Sequence, residues 1–276
     1  MNRGVRQLVK ARQMKEGAGV TIQRTIGTPE RPNLDPFLML DYFSSDNPDD
    51  YIAGFPDHPH RGFITLTYMI DGHLLHKDHM GNKGNLTAGG VQWMKAARGV
   101  IHSEMPQQDN GLMRGFQLWI NLPGREKMTD PEYQDFRPED IPEIDIATSR
   151  IKVLSGHYRE VVGPIRDPHT ELFYIDAKLN ASQIFEHSFD GDNTAFLFLF
   201  EGNLMLGQTP IPTSHLVVLG QGERLSVTAG EEGARFILVS GKAIREPVVQ
   251  YGPFVMNTRD EIEQTVLDYQ LGRLTS

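Results

Sequence analysis

Short apolar runs, cut by glycine- and proline-bearing segments, dominate the chain. Their lengths and β-branched content predict strands over residues 19–26, 63–70, 115–121, 150–155, 171–177, 195–201, 215–219 and 234–240. Residues 195–200 read Ala-Phe-Leu-Phe-Leu-Phe, with no alternation, which predicts a strand covered on both faces rather than one facing water. Long helical periodicity is nearly absent until the end of the chain. There Thr258 and Glu261 form a capping-box pattern, Ile262, Val266 and Tyr269 recur at helical spacing, and Gly272 can supply the left-handed terminator, so one closing helix is expected. Residues 123–142 are rich in proline and acidic side chains and read as a linker between two β domains. No internal repeat is clear in the sequence, although two β halves of similar length leave duplication open.

Composition narrows the function classes. With 276 residues, 39% hydrophobic and 23% charged, the chain can bury a large core and is not disordered. It has no cysteine, so disulfides, thiolate catalysis and cysteine metal sites are excluded, and any metal must be held by histidine and carboxylate. A net charge of -9 is the wrong sign for a phosphate backbone, so no direct nucleic-acid partner is expected. No apolar run is long enough to span a membrane and residues 1–10 lack the apolar stretch of a signal peptide; a cytoplasmic location is expected, or a nuclear one in a eukaryote.

Two pairs carry the candidate chemistry. His58-Pro-His60 runs through Arg61-Gly62 into the strand-like residues 63–70, and side chains two apart on a strand share a face, so both imidazoles can aim at one ion. Continuing that parity puts Ile64, Leu66, Tyr68 and Ile70 on the histidine face and Arg61, Thr65 and Thr67 on the other. His102-Ser-Glu104 repeats the spacing, and two antiparallel strands would merge the pairs. Three neutral imidazoles and one carboxylate give a divalent cation four ligands and leave positions open for water, substrate or oxygen. His73, His76 and His79 read as hairpin positions with surface or supporting roles. His157, His169, His187 and His215 have no paired partner, and Trp93 and Met94 read as core fillers.

Asp35-Pro-Phe-Leu-Met-Leu-Asp41, His58-Pro-His-Arg-Gly-Phe63, Gln92-Trp-Met94, Arg98-Gly-Val-Ile-His-Ser-Glu104 and Tyr251-Gly-Pro-Phe-Val-Met-Asn-Thr258 together resemble the pirins, bicupins of the cupin superfamily. The resemblance implies an all-β fold of two cupin barrels (double-stranded β-helix, or jelly-roll) packed face to face, with a short C-terminal helix. The implied domains are residues 1–140, binding metal, and residues 141–276, metal-free and carrying the helix. It implies one divalent ion, iron(II) first and manganese, nickel, cobalt, copper or zinc as alternatives, on His58, His60, His102 and Glu104. The implied activity is ring cleavage of a flavonol or similar small aromatic by O2, of the quercetin 2,3-dioxygenase type, with Glu104 as ligand or general base. The alternative is an iron-dependent, redox-sensing co-regulator acting through a protein partner. Ile64 stands where the family commonly has Glu, which on the parity above alters the pocket wall.

Overall fold

Each predicted run overlaps a strand of the computed structural model, which describes residues 1–146, 149–189 and 191–276. Two runs are parts of strands longer by six residues or more, Thr194–Leu206 and Arg224–Gly241. The unalternating stretch from Ala195 to Phe200 is buried at every position, as a strand covered on both faces must be. The chain divides into two compact units, residues 12–139 with 244–276 and residues 1–11 with 140–243. These units differ from the division at 140/141 at both ends of the chain. Strand Val5–Lys10 hydrogen-bonds to His215–Leu219 and so belongs with the later residues. The closing helix belongs with the earlier ones, because the buried guanidinium of Arg61 bonds to Asp268, Thr265 and the Leu274 carbonyl.

Among the described residues the histidine-bearing unit holds a small two-stranded sheet, Val249–Tyr251 with Phe254–Met256, and two main antiparallel sheets. The larger runs in the order Glu132–Phe136, Val91–Lys95, Phe63–Asp71, Met113–Asn121, Phe37–Ser45, Val20–Ile26, Arg12–Glu16. The smaller runs Phe55–His60, Val100–Pro106, His73–Asp78, Lys83–Thr87. Helix Arg259–Gln270 closes the unit with both halves of the expected capping box, and Ile262 packs on Phe254, Met256 and Leu274. No helix is long and apolar enough to cross a membrane.

The second unit repeats this strand order except at the edge strand, which here comes from the start of the chain. Its main path is Val5–Lys10, His215–Leu219, Thr194–Leu206, Arg224–Gly241, Phe173–Leu179, Ser149–Ser155, Glu143–Ile146, with Ile184–Ser188 and Thr209–Ile211 as branches. Where the first unit breaks between Asp71 and His73, Thr194–Leu206 runs on through a register shift at Gly202. Gly202 has φ +71, and a Cβ there would lie 2.1 Å from the Gly233 carbonyl oxygen, so only glycine lets the two long strands cross this closely. The interior is one apolar cluster that includes Phe185, Leu199, Leu225, Val227, Ala229 and Phe236.

Candidate metal centre

His58 and His60 lie on strand Phe55–His60, and His102 and Glu104 on its antiparallel neighbour Val100–Pro106. His102 stands directly opposite His58 and Val100 opposite His60, so one sheet face gathers all three imidazoles. A register shift follows between His102 and Glu104. The ring centroids are 4.3 to 4.9 Å apart, and one nitrogen from each ring comes within 4.8 Å of the others. His58 Nδ1 is 2.8 Å from the Pro56 carbonyl, which can only accept, so the proton sits on Nδ1 and the Nε2 lone pair is free. His60 Nδ1 and His102 Nε2 are buried and have no hydrogen-bond partner. Burial holds the pKa of His60 well below the usual imidazole range, and His58 adds to the effect. Burial likewise lowers His102, helped by His60, His58 and His76. A buried imidazole with an unpartnered nitrogen, as His60 and His102 each offer, suits a divalent cation, and the cluster of three can hold one.

Glu104 lies on the same strand and lines the same cavity, but the closest-packed donor group comprises the three histidines. Its carboxylate is held by the Thr67 hydroxyl at 2.9 Å and by the Gln117 amide at 3.0 Å. Thr67 therefore faces the site, contrary to the parity carried forward from His58 and His60. The reason is Gly62: with φ +90 its N–H bonds to the Ala97 carbonyl, and the chain passes there from the small sheet into the large one. A Cβ on Gly62 would lie 1.9 Å from the Val255 carbonyl oxygen, so the turn admits only glycine. Ile64 and Leu66 are buried on the opposite face, paired with Ile120 and Leu118, and take no part in the cavity wall.

The cavity has a volume of about 560 Å³ and lies between the two sheets of this unit. Met39, Phe43, Phe55 and Trp119 supply apolar wall, with Trp119 edge-on to His60 at 5.3 Å. Elsewhere in the wall Arg24 makes a bidentate ion pair with Asp41, at 2.7 and 2.6 Å, and reaches Glu16 at 2.9 Å. Burial pushes Asp41 up to about 6 against the opposing pull of Arg24.

Other sequence expectations meet the structure as follows. His73–Asp78 and Lys83–Thr87 do form a hairpin, and Trp93 and Met94 are buried outside the cavity. His79 Nδ1 accepts from the Ile101 backbone. His76, read as a surface or supporting position, is buried against His102. Trp119 was also missed; its odd parity with Gln117 along one strand was the available signal. His187 is not in a donor group among the described residues; it stacks on Phe173 at 4.2 Å and stands edge-on to Phe189.

Comparison with known proteins agrees with this architecture. A family model described as Pirin matches residues 19–120, and one described as Pirin C-terminal cupin domain matches residues 174–275. A Pseudomonas aeruginosa protein named "Putative quercetin 2,3-dioxygenase" is 46% identical over 280 residues, covering 99% of this chain and 98% of its own. A pirin-like protein of Caulobacter vibrioides is 45% identical over 98% of this chain and 99% of its own. The crystal structure of a quercetin 2,3-dioxygenase from Acinetobacter baumannii superposes with a TM-score of 0.92 at 30% identity, covering 100% of this chain and 99% of that one.

Proposed function

Since the chain belongs to the pirin family, with two cupin domains, we propose that it is a mononuclear metal-dependent dioxygenase that opens the ring of a flavonol or similar small aromatic. The observation that carries the reading is the cluster of three imidazoles, two of them with a buried, unpartnered nitrogen, beside a largely apolar cavity of about 560 Å³ that His58 and His60 line. His58, His60 and His102 would hold the ion, iron(II) first, with Glu104 as the fourth donor or as base. When bound, the ion supplies the Lewis acidity that lowers the pKa of a substrate hydroxyl and the redox chemistry that dioxygen requires.

The chain's own residues account for the rest. Thr67 and Gln117 fix the Glu104 carboxylate, so one of its oxygens is presented to accept the proton of the substrate hydroxyl. Phe43, Met39 and Trp119 offer flat apolar wall to an aromatic ring and exclude water around it. In the overall reaction both atoms of dioxygen enter the substrate, the ring opens and carbon monoxide leaves.

The test is flavonol consumption by protein reloaded separately with iron, manganese, nickel, cobalt, copper and zinc. Anaerobic flavonol should shift the optical spectrum of the loaded protein, and admitting oxygen should then consume the flavonol. Glu104→Gln should retain metal and lose turnover by roughly 100-fold or more if the carboxylate is the base. No oxygen-dependent loss of flavonol with any of these ions would end the enzymatic reading.

A further inference from the structure

The two ring nitrogens of His102 meet opposite surroundings. Nε2 is buried without a partner, while Nδ1 lies 3.3 Å from Nδ1 of His76. The other nitrogen of His76, Nε2, is 3.4 Å from Asp78 Oδ2. Asp78 is itself held firmly: Oδ1 accepts from the backbone N–H groups of Met80 and Asn82, and Oδ2 from the Asn82 side chain. Both His76 and Asp78 have buried side chains, and the His76 ring stacks on Tyr133 at 4.9 Å.

Proton counting leaves one arrangement that satisfies every group. If His102 carried its proton on Nε2, an N–H would be buried unpaired among the histidines, and the Nε2 lone pair of His76 would face a carboxylate. With the proton of His102 on Nδ1, His76 accepts it at Nδ1, keeps its own proton on Nε2, and donates that to Asp78. The lone pair of His102 Nε2 is then free for an ion. The register supports the chain of contacts, since Asp78 stands opposite His102 and His76 opposite Glu104 on adjoining strands.

We propose that Asp78 and His76 are positioning residues, a carboxylate–imidazole relay that fixes the tautomer and orientation of His102 for metal binding. The inference rests on the metal-centre reading above and deepens it. Neither residue lines the cavity, so the relay acts through His102 and not on substrate. The two separations are at the long end of hydrogen bonding, which places the effect at the lower end of the 10–100-fold usual for such outer partners.

Two measurements on the full chain test this, with zinc(II) as a redox-inert probe. By chelator competition, His76→Phe, which keeps the stack on Tyr133 but accepts nothing, should weaken zinc about tenfold. His76→Gln, which restores an acceptor, should recover most of the loss, and Asp78→Asn should lie between. Ring-nitrogen NMR of wild-type protein without metal should show His102 protonated on Nδ1 and His76 on Nε2. Unchanged zinc affinity in a folded His76→Phe, or the reversed tautomers in wild type, would overturn the relay. Wild-type zinc binding that is indifferent to His58→Ala would instead overturn the metal centre, and the metal-free NMR result keeps the two failures apart.

Discussion

In the histidine-bearing unit, strands Phe55–His60 and Val100–Pro106 pair with His102 opposite His58; in the other unit, Ile184–Ser188 and Arg224–Gly241 pair at the same place in the strand order. There buried Phe185 stands opposite buried Val227, and half-buried His187 opposite buried Leu225. Phe185, Leu225, Val227 and Ala229 fill that interior with hydrocarbon, and the half-buried imidazole of His187 packs against the rings of Phe173 and Phe189. The same backbone plan thus supports an open, polar-floored cavity or a filled core, according to which side chains occupy a few inward positions. Function resides in those positions and not in the fold.

The comparison can be broken most directly at the metal. His58→Ala and His102→Ala should each abolish stoichiometric loading, and His187→Ala should leave it intact, as read by metal analysis of purified protein. Loss of metal in His187→Ala would show that the second unit also ligates. The next largest effect concerns packing. Phe185→Ala opens a hole in a filled core and should cost about 3–5 kcal/mol by denaturant unfolding, whereas Phe55→Ala, beside space already open, should cost only about 1–2 kcal/mol.

The smallest effect is a pH dependence inside the first unit. Buried Lys127 donates to the carbonyls of Gly62 and Val255 and to Asn121, which ties the turn after His60 to the C-terminal segment. Burial pulls its pKa down to about 7 from 10.5. Between those values the unfolded chain binds the proton and the folded chain does not, so stability should rise with pH from about 7 to about 10. Lys127→Met should flatten this rise, by on the order of 1–3 kcal/mol across the window, measured by denaturant unfolding at several pH values. An identical pH profile in the variant would remove Lys127 as its source.

Eight strand segments and the closing helix were legible because each is announced by a local pattern, down to the pairing of Thr258 with Glu261, whereas strands such as Phe37–Ser45 and Val100–Pro106 were not read from periodicity. That His58 and His60 come together was legible for the same reason, since a spacing of two fixes a shared face within one strand. Parity failed where the chain changed sheets at Gly62, so Ile64 was given a place in the cavity that Thr67 holds. His76 was read as a surface or supporting position, and its contact with His102 was hidden because it joins strands 26 residues apart. The duplication was hidden because the two interiors carry different side chains on the same strand order.

Residue order alone determined the β character of the chain, its terminal helix and a donor set limited to imidazole and carboxylate, because alternation, capping and composition act over a few neighbouring residues. Tertiary structure decided which faces turn inward, that the ends of the chain exchange between the units, that His76 touches His102, and that Thr67 and Gln117 hold Glu104. Those outcomes depend on register between strands far apart in sequence and on the turns that set it, and no local pattern encodes either.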